Sequence, residues 1–366
     1  MSMSINLQNC RHGESELPIW WHLEQFTAQT TSFEKISHVA HYALFAYALL
    51  EGPIRQVTGR KLKGLSALVT LLVLRKALCV AVGLVAYKAI WLSKSKLEKC
   101  AAKAHRVLQA QGYLVKELCF EKLDSRFAAT VIASSETIGN GKWVINALGV
   151  TSAMEKKLKM LVARNSSWGF NTLVVNGPAV GCSKGLPTPH QLGAGYEAAM
   201  QFLECEVAAS HIIFYGHSWG GGTLAKAVLN HDFRYGQLEG IKYLFVGDRT
   251  FSSFASIAAH RTFPLMRHIF RAVGFDLDGI AAAHRLTELG IQQVVIDAEG
   301  DTVIPSNVSL SRGLGMFTEC GPAVAVADKI FIKEEMAHSG PLSAKVEEKV
   351  KALVSHFSSD AELEKI

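Results

Sequence analysis

Apolar positions along this chain follow two periods, and their alternation predicts a mixed sheet covered by helices. His211 to Tyr215 (HIIFY), Ile241 to Val246 (IKYLFV), Ile291 to Asp297 (IQQVVID) and Lys329 to Ile332 (KIFI) are short runs dominated by apolar residues. Such runs suit strands buried on both faces, as in a parallel sheet. Leu114 to Glu121 and Phe127 to Ala133 flank an Asp124-Ser125 turn, and Asn140-Gly141 is a hairpin signal before Lys142 to Asn146. Thr223 to Asn230 switches to helical spacing, with Leu224/Val228 and Ala225/Leu229 four residues apart. Residues 342–357 read as a covering helix. An antiparallel start followed by strand–helix alternation predicts an α/β domain over 111–366. The connection from Arg249 to Gly290 exceeds what one helix requires and carries Phe251, Phe254, Phe263, Leu265, Ile269 and Phe270. It is expected to form a small cap, around 249–290, over an apolar pocket; packing of those helices on the sheet is the alternative.

Residues 1–110 read as a separate N-terminal helical region. Within it, 62–92 is an apolar stretch interrupted by Arg75-Lys76 and Lys88. As a single span it sits near break-even, because its leucines and valines favour insertion by roughly 3–7 kcal/mol while the two central cations oppose it by about 5–7 kcal/mol. Each half is too short to cross a bilayer alone. Charge sharpens the picture: residues 51–122 hold 14 Lys/Arg against 4 Asp/Glu, a net of +10 in a chain of net +6, so the remainder carries −4. Basic residues flank the stretch on both sides, Arg55, Arg60, Lys61 and Lys63 before it and Lys94, Lys96 and Lys99 after it. That arrangement favours helices lying on an anionic membrane surface over a single span. A helical subdomain packed on the main domain is the plainer reading. Residues 1–30 lack a basic segment followed by an apolar run, so a conventional secretory signal is not expected and the location reads as cytoplasmic or peripheral-membrane.

With 49% hydrophobic residues, 366 residues can bury a large core. The seven cysteines (10, 79, 100, 119, 182, 205 and 320) are scattered, odd in number and free of any C-x-x-C pair. This argues against a disulfide framework or a zinc site and for a reducing compartment. Gly177 to Gly181 lacks the lysine and spacing of a phosphate-binding loop, and no nucleic-acid motif accompanies the basic charge. Neither cofactor, metal nor nucleic acid is expected.

The candidate chemistry centres on Gly216-His217-Ser218-Trp219-Gly220. A Gly-x-Ser-x-Gly pentapeptide carries weight only in context, and here it falls between a predicted strand and a predicted helix. That is the turn at which a serine hydroxyl is exposed as a nucleophile. Such a serine needs a base and a group to orient the base, following in the order serine, acid, histidine. Asp301 lies in the loop after the 291–297 strand, and His338 in the loop after the 329–332 strand. Asp248, at the end of the 241–246 strand, is the rival acid. Asp297 is expected to point into the structure, and His217 to be a structural residue of the turn.

These residues resemble an α/β-hydrolase over roughly 110–360. Lys142 to Asn146 followed by Ala147-Leu148-Gly149 is similar to the family's third strand and oxyanion loop, though Asn146-Ala147 stands where many members have His-Gly. The resemblance implies that the amides of Leu148 and Trp219 form the oxyanion hole. Asn171 to Gly185 resembles the fourth strand and its glycine-rich loop, and Asp301-x-x-Ile304-Pro305 the acid loop. More narrowly, Asn176 to Gly185 (NGPAVGCSKG) and Asp248 to Ser253 (DRTFSS) resemble the chlamydial 43-kDa protein family, which implies a structural role for Asp248-Arg249. The expected fold is a mostly parallel eight-stranded sheet with flanking helices. The expected function is serine hydrolysis of an ester, thioester or similar small acyl or lipid-like substrate. The competing expectation is a hydrolase fold retained as an inactive scaffold or binding protein at a membrane.

Overall fold

The computed structural model describes residues 17–28, 63–318, 321–322 and 329–359. Arg55, Arg60, Lys61, Cys10 and Cys320 lie outside the described residues.

A nine-stranded sheet organises the chain. Its strands are β1 (Gln25–Thr27), β2 (Tyr113–Lys122), β3 (Ser125–Ser134), β4 (Lys142–Ala147), β5 (Asn171–Val175), β6 (His211–His217), β7 (Lys242–Asp248), β8 (Gln292–Glu299) and β9 (Lys329–Glu335). They lie in the order β1-β2-β3-β5-β4-β6-β7-β8-β9. Antiparallel pairing is confined to β2 with β3 and β3 with β5; every other neighbouring pair in the sheet is parallel. The sheet is therefore mostly parallel, as expected, but has nine strands rather than eight.

The additional strand is β1, whose backbone pairs with Cys119 to Glu121 of β2. Just before it, Trp20 is buried against Trp143 of β4 at 5.4 Å and Phe202 at 6.0 Å between ring centroids. Residues 17–28 thus supply a strand and a core side chain within a region read from sequence as helical. A three-residue strand with a Trp pair just before it is too short for periodicity to reveal.

Both faces of the sheet are covered. On one lie helices α4 (Pro189–Cys205), α5 (Trp219–Asn230) and α8 (Gly279–Glu288); on the other lie α2 (Lys94–Ala110), α3 (Leu158–Ser167) and α9 (Ala344–Ser358). Alternation along β6 shows why its sequence is a continuous apolar run. Ile212 and Phe214 enter the first layer, and Ile213 and Tyr215 the second.

Helix α1 (Lys63–Ala86) and two short helices, α6 (Phe254–Arg261) and α7 (Met266–Val273), lie beyond the sheet's carboxyl edge. They share an apolar cluster that includes Cys79, Tyr87, Trp219, Phe275 and Leu277. Within 249–290, Ala282 and Leu286 of α8 belong to the sheet core. Among the described residues, no helix is long and apolar enough to cross a membrane.

Candidate active site

Ser218 joins β6 to α5 with φ 55° and ψ −121°, a strained backbone conformation for a residue bearing a Cβ. The turn closes only because its neighbours lack side chains. A Cβ on Gly216 would lie 2.5 Å from Gly221 Cα, and one on Gly220 would run into the carbonyl oxygen of Ala147. The strain is held by bonds from β7: Ser218 N donates to Asp248 O (2.9 Å), and Thr250 Oγ1 donates to Ser218 O (2.8 Å).

His338 reaches this hydroxyl from the loop after β9. Its Nε2 lies 2.9 Å from Ser218 Oγ, and its Nδ1 lies 2.7 Å from Asp301 Oδ2. The other Asp301 oxygen accepts the backbone N–H groups of Val303 (2.8 Å) and Ile304 (2.9 Å), so the carboxylate is fixed at both ends. Burial pushes the Asp301 carboxyl up, but the bond from His338 and the two amides outweigh it and hold the group below its ordinary value. The structure thus brings Ser218, His338 and Asp301 into one hydrogen-bonded chain.

Asp248, the rival acid, is turned away from His338. Its carboxylate is gripped by Arg249, with Nε on Oδ1 at 2.7 Å and Nη2 on Oδ2 at 3.0 Å, and accepts Tyr215 OH at 2.8 Å. Burial raises its carboxyl, yet His217, Arg249 and Tyr215 together hold it below the ordinary value. Asp297 is buried and accepts Ser311 Oγ, and burial pushes its carboxyl up.

The expected structural role of Asp248-Arg249 takes a specific form that sequence reasoning missed. Arg249 Nη1 donates to Ala337 O (2.7 Å) and Gly340 O (3.0 Å), the carbonyls on either side of His338. His217 Nε2 donates to the carbonyl of His338 itself (2.9 Å), and burial lowers the His217 imidazole. Three consecutive residues, Asp248, Arg249 and Thr250, therefore tie the serine turn to the histidine loop. The sequence signals were their position at the end of β7 and the family-like Asp248 to Ser253 run, neither of which names the partners.

The loop after β4 completes the surroundings. Ala147 lies opposite Gly216 across the β4–β6 pair, a Cβ on Gly149 would sit 3.9 Å from Ser218 Cβ, and one on Gly220 would sit 2.8 Å from Leu148 N. Backbone bearing the Leu148 and Trp219 amides thus adjoins Ser218 on two sides. The Trp219 side chain is buried in an apolar cluster beside the turn, where Tyr87 stacks on it at 5.9 Å and Phe254 meets it edge-on at 5.2 Å. Among the described residues, no cluster of His, Cys, Asp and Glu is arranged to hold a metal ion.

This strand order, with a serine at a strained turn between β6 and α5, defines an α/β-hydrolase fold. The chain belongs to the Chlamydia CHLPS protein family (DUF818), whose model matches residues 104–359. An alpha-beta hydrolase from Vibrio vulnificus is similar in structure, with a TM-score of 0.50 and 18% identity over 70% of this chain and 85% of that one. Esterase Pf2001 from Pyrococcus furiosus aligns with a TM-score of 0.49 and 14% identity over 69% and 91% of the two chains. The esterase domain of a Rhodothermus marinus protein aligns with a TM-score of 0.44 and 15% identity over 67% and 98%. No curated protein matches the chain significantly.

Proposed function

We propose that the protein is a serine hydrolase that cleaves an ester, thioester or similar acyl substrate through an acyl-enzyme. The observation that carries this reading is the contact chain from Asp301 through His338 to Ser218, at 2.7 and 2.9 Å. His338 Nε2 takes the Ser218 proton as Oγ attacks the acyl carbon. The carbonyl electron pair moves onto oxygen, where the amides of Leu148 and Trp219 stabilise it, typically by about 3–4 kcal/mol per donor. Collapse of that intermediate expels the leaving group, which takes the proton from His338. Water then enters, His338 removes its proton, and the same sequence releases the carboxylic acid and restores Ser218 Oγ–H. Asp301 stays ionised throughout, holding the proton of His338 on Nδ1 and stabilising the imidazolium.

The test is labelling of the full chain with a fluorophosphonate, followed by turnover of aryl acyl esters of increasing chain length. Wild type should label, whereas Ser218→Ala should not. Equal labelling of the two would remove Ser218 as the nucleophile, and a wild type that neither labels nor turns over any ester would favour the inactive-scaffold reading.

A further inference from the structure

Helix α1 turns an apolar face outward. Leu71, Leu74 and Leu78 are 61%, 53% and 45% exposed, and Val85 and Trp91 continue the exposed set at 77% and 72%. The spacing of 71, 74 and 78 places these leucines on one side of the helix. The adjoining cap adds Phe263, Leu265 and Ile269, all exposed. The two parts are joined where Arg75 Nε donates to Val273 O (3.3 Å) and Cys79 Sγ to Gly274 O (3.9 Å). Side chains scattered singly would need no explanation, but eight large apolar groups on adjoining segments do.

Charge identifies what this face suits. Residues 63–96 and 249–275 contain no Asp or Glu. Lys88, three residues before the exposed Trp91 in one 3-10 turn and so on its side, and Arg261, two residues before Phe263, are exposed beside the apolar groups. Nearby cations are partly engaged: Arg271 pairs with Asp276, Lys94 with Glu98, and Arg261 donates to the carbonyls of Thr302 and Val303. An apolar surface flanked by cations, on two segments that carry no carboxylate of their own, matches anionic headgroups above acyl chains. Aromatic side chains also run inward from it, from Phe270 to Phe254 (5.3 Å between centroids) and from Phe254 to Trp219 (5.2 Å), the residue after Ser218.

We propose that the face formed by α1 and the α6–α7 cap docks on the surface of an anionic phospholipid bilayer. This concerns binding alone and holds whether or not Ser218 is a nucleophile. The test is flotation of the full chain with vesicles of phosphatidylcholine, with and without phosphatidylglycerol. Wild type should float with the anionic vesicles, less so at high salt, and Ser218→Ala should float equally. A near-surface cation contributes roughly fivefold in partitioning, so Lys88→Glu should weaken anionic binding at least about fivefold. Leu71→Glu/Leu74→Glu/Leu78→Glu should lower binding about tenfold or more, with an unchanged unfolding midpoint confirming its fold. Wild type left at the bottom of the gradient overturns the proposal, as does flotation of the triple variant like wild type. Sedimentation showing a dimer that the triple variant dissociates would assign the face to a second copy of the chain and overturn it too.

Discussion

Arg249→Lys should suppress turnover while leaving the protein folded, because the arginine does two things that one ammonium cannot. Its Nε and Nη2 hold Asp248, while its Nη1 holds the carbonyls of Ala337 and Gly340 on either side of His338. Lysine keeps the positive charge beside the buried Asp248 carboxylate but lacks the planar fork that spans both groups. Arg249→Ala is the poorer probe, since stranding a buried charge costs about 3–5 kcal/mol and threatens the fold itself. In the lysine variant the histidine loop loses two charge-assisted hydrogen bonds, each worth roughly 1.5–3 kcal/mol. The bond from His217 to the carbonyl of His338 remains, so the loop should drift rather than unfold. Misplacement of a catalytic group by about 1 Å costs on the order of 100-fold, so kcat should fall by about 30–100-fold with KM little changed.

Steady-state hydrolysis of an aryl ester reads that split. A second readout separates positioning from general loosening. The proton between His338 Nδ1 and Asp301 should give a low-field NMR resonance that broadens in Arg249→Lys. It should persist in Leu118→Ala, which removes a buried side chain from β2, four strands away from β6 in the sheet. Wild-type kcat in Arg249→Lys, or an equal loss of both signals in the two variants, would refute a positioning role.

Three further outcomes follow from the same contacts. Asp301→Asn should lower kcat by about 10⁴-fold by favouring the wrong imidazole tautomer, whereas Asp248→Asn should cost far less, since Asp248 makes no hydrogen bond to His338; steady-state kinetics of the two variants decides between the acids. His217, Asp248 and Asp301 all have folded values below their ordinary ones, so the unfolded chain binds more protons as the pH falls. Their stabilisation is complete above 6.5, erodes first as His217 charges, and is lost further below 3.8 as the carboxylates protonate; burial raises Glu155, Asp276 and Asp297, which offsets part of the loss above 3.8, so denaturant midpoints should fall most steeply below 3.8. Trp20→Ala should cost about 3–5 kcal/mol in chemical denaturation, because a core side chain is removed; a loss near zero would mean that residues 17–28 are a dispensable appendage.

What could be read from the chain depended on whether the partner of each residue leaves a mark in sequence. The central strands were legible because burial on both faces forces nearly unbroken apolar runs, as β6, β7 and β8 show. Ser218, His338 and Asp301 were legible as candidates because each falls in a loop just past a strand end, and parallel strands deliver such loops to one edge. β1 was not legible: it is three residues long, and the partners of Trp20 before it and of its own Phe26 (Phe120, Trp143 and Phe202) lie about 90 or more residues away. The role of Arg249 was hidden for a different reason. It binds Asp248, its neighbour, and two backbone carbonyls in a loop 88 to 91 residues further on, and a carbonyl exists at every position whatever the side chain. A motif can therefore mark such a residue as structural, as the Asp248 to Ser253 run did, without saying which loop it holds. That is also why its test must follow the geometry of His338, which the arginine holds, rather than overall stability, which any buried ion pair would change.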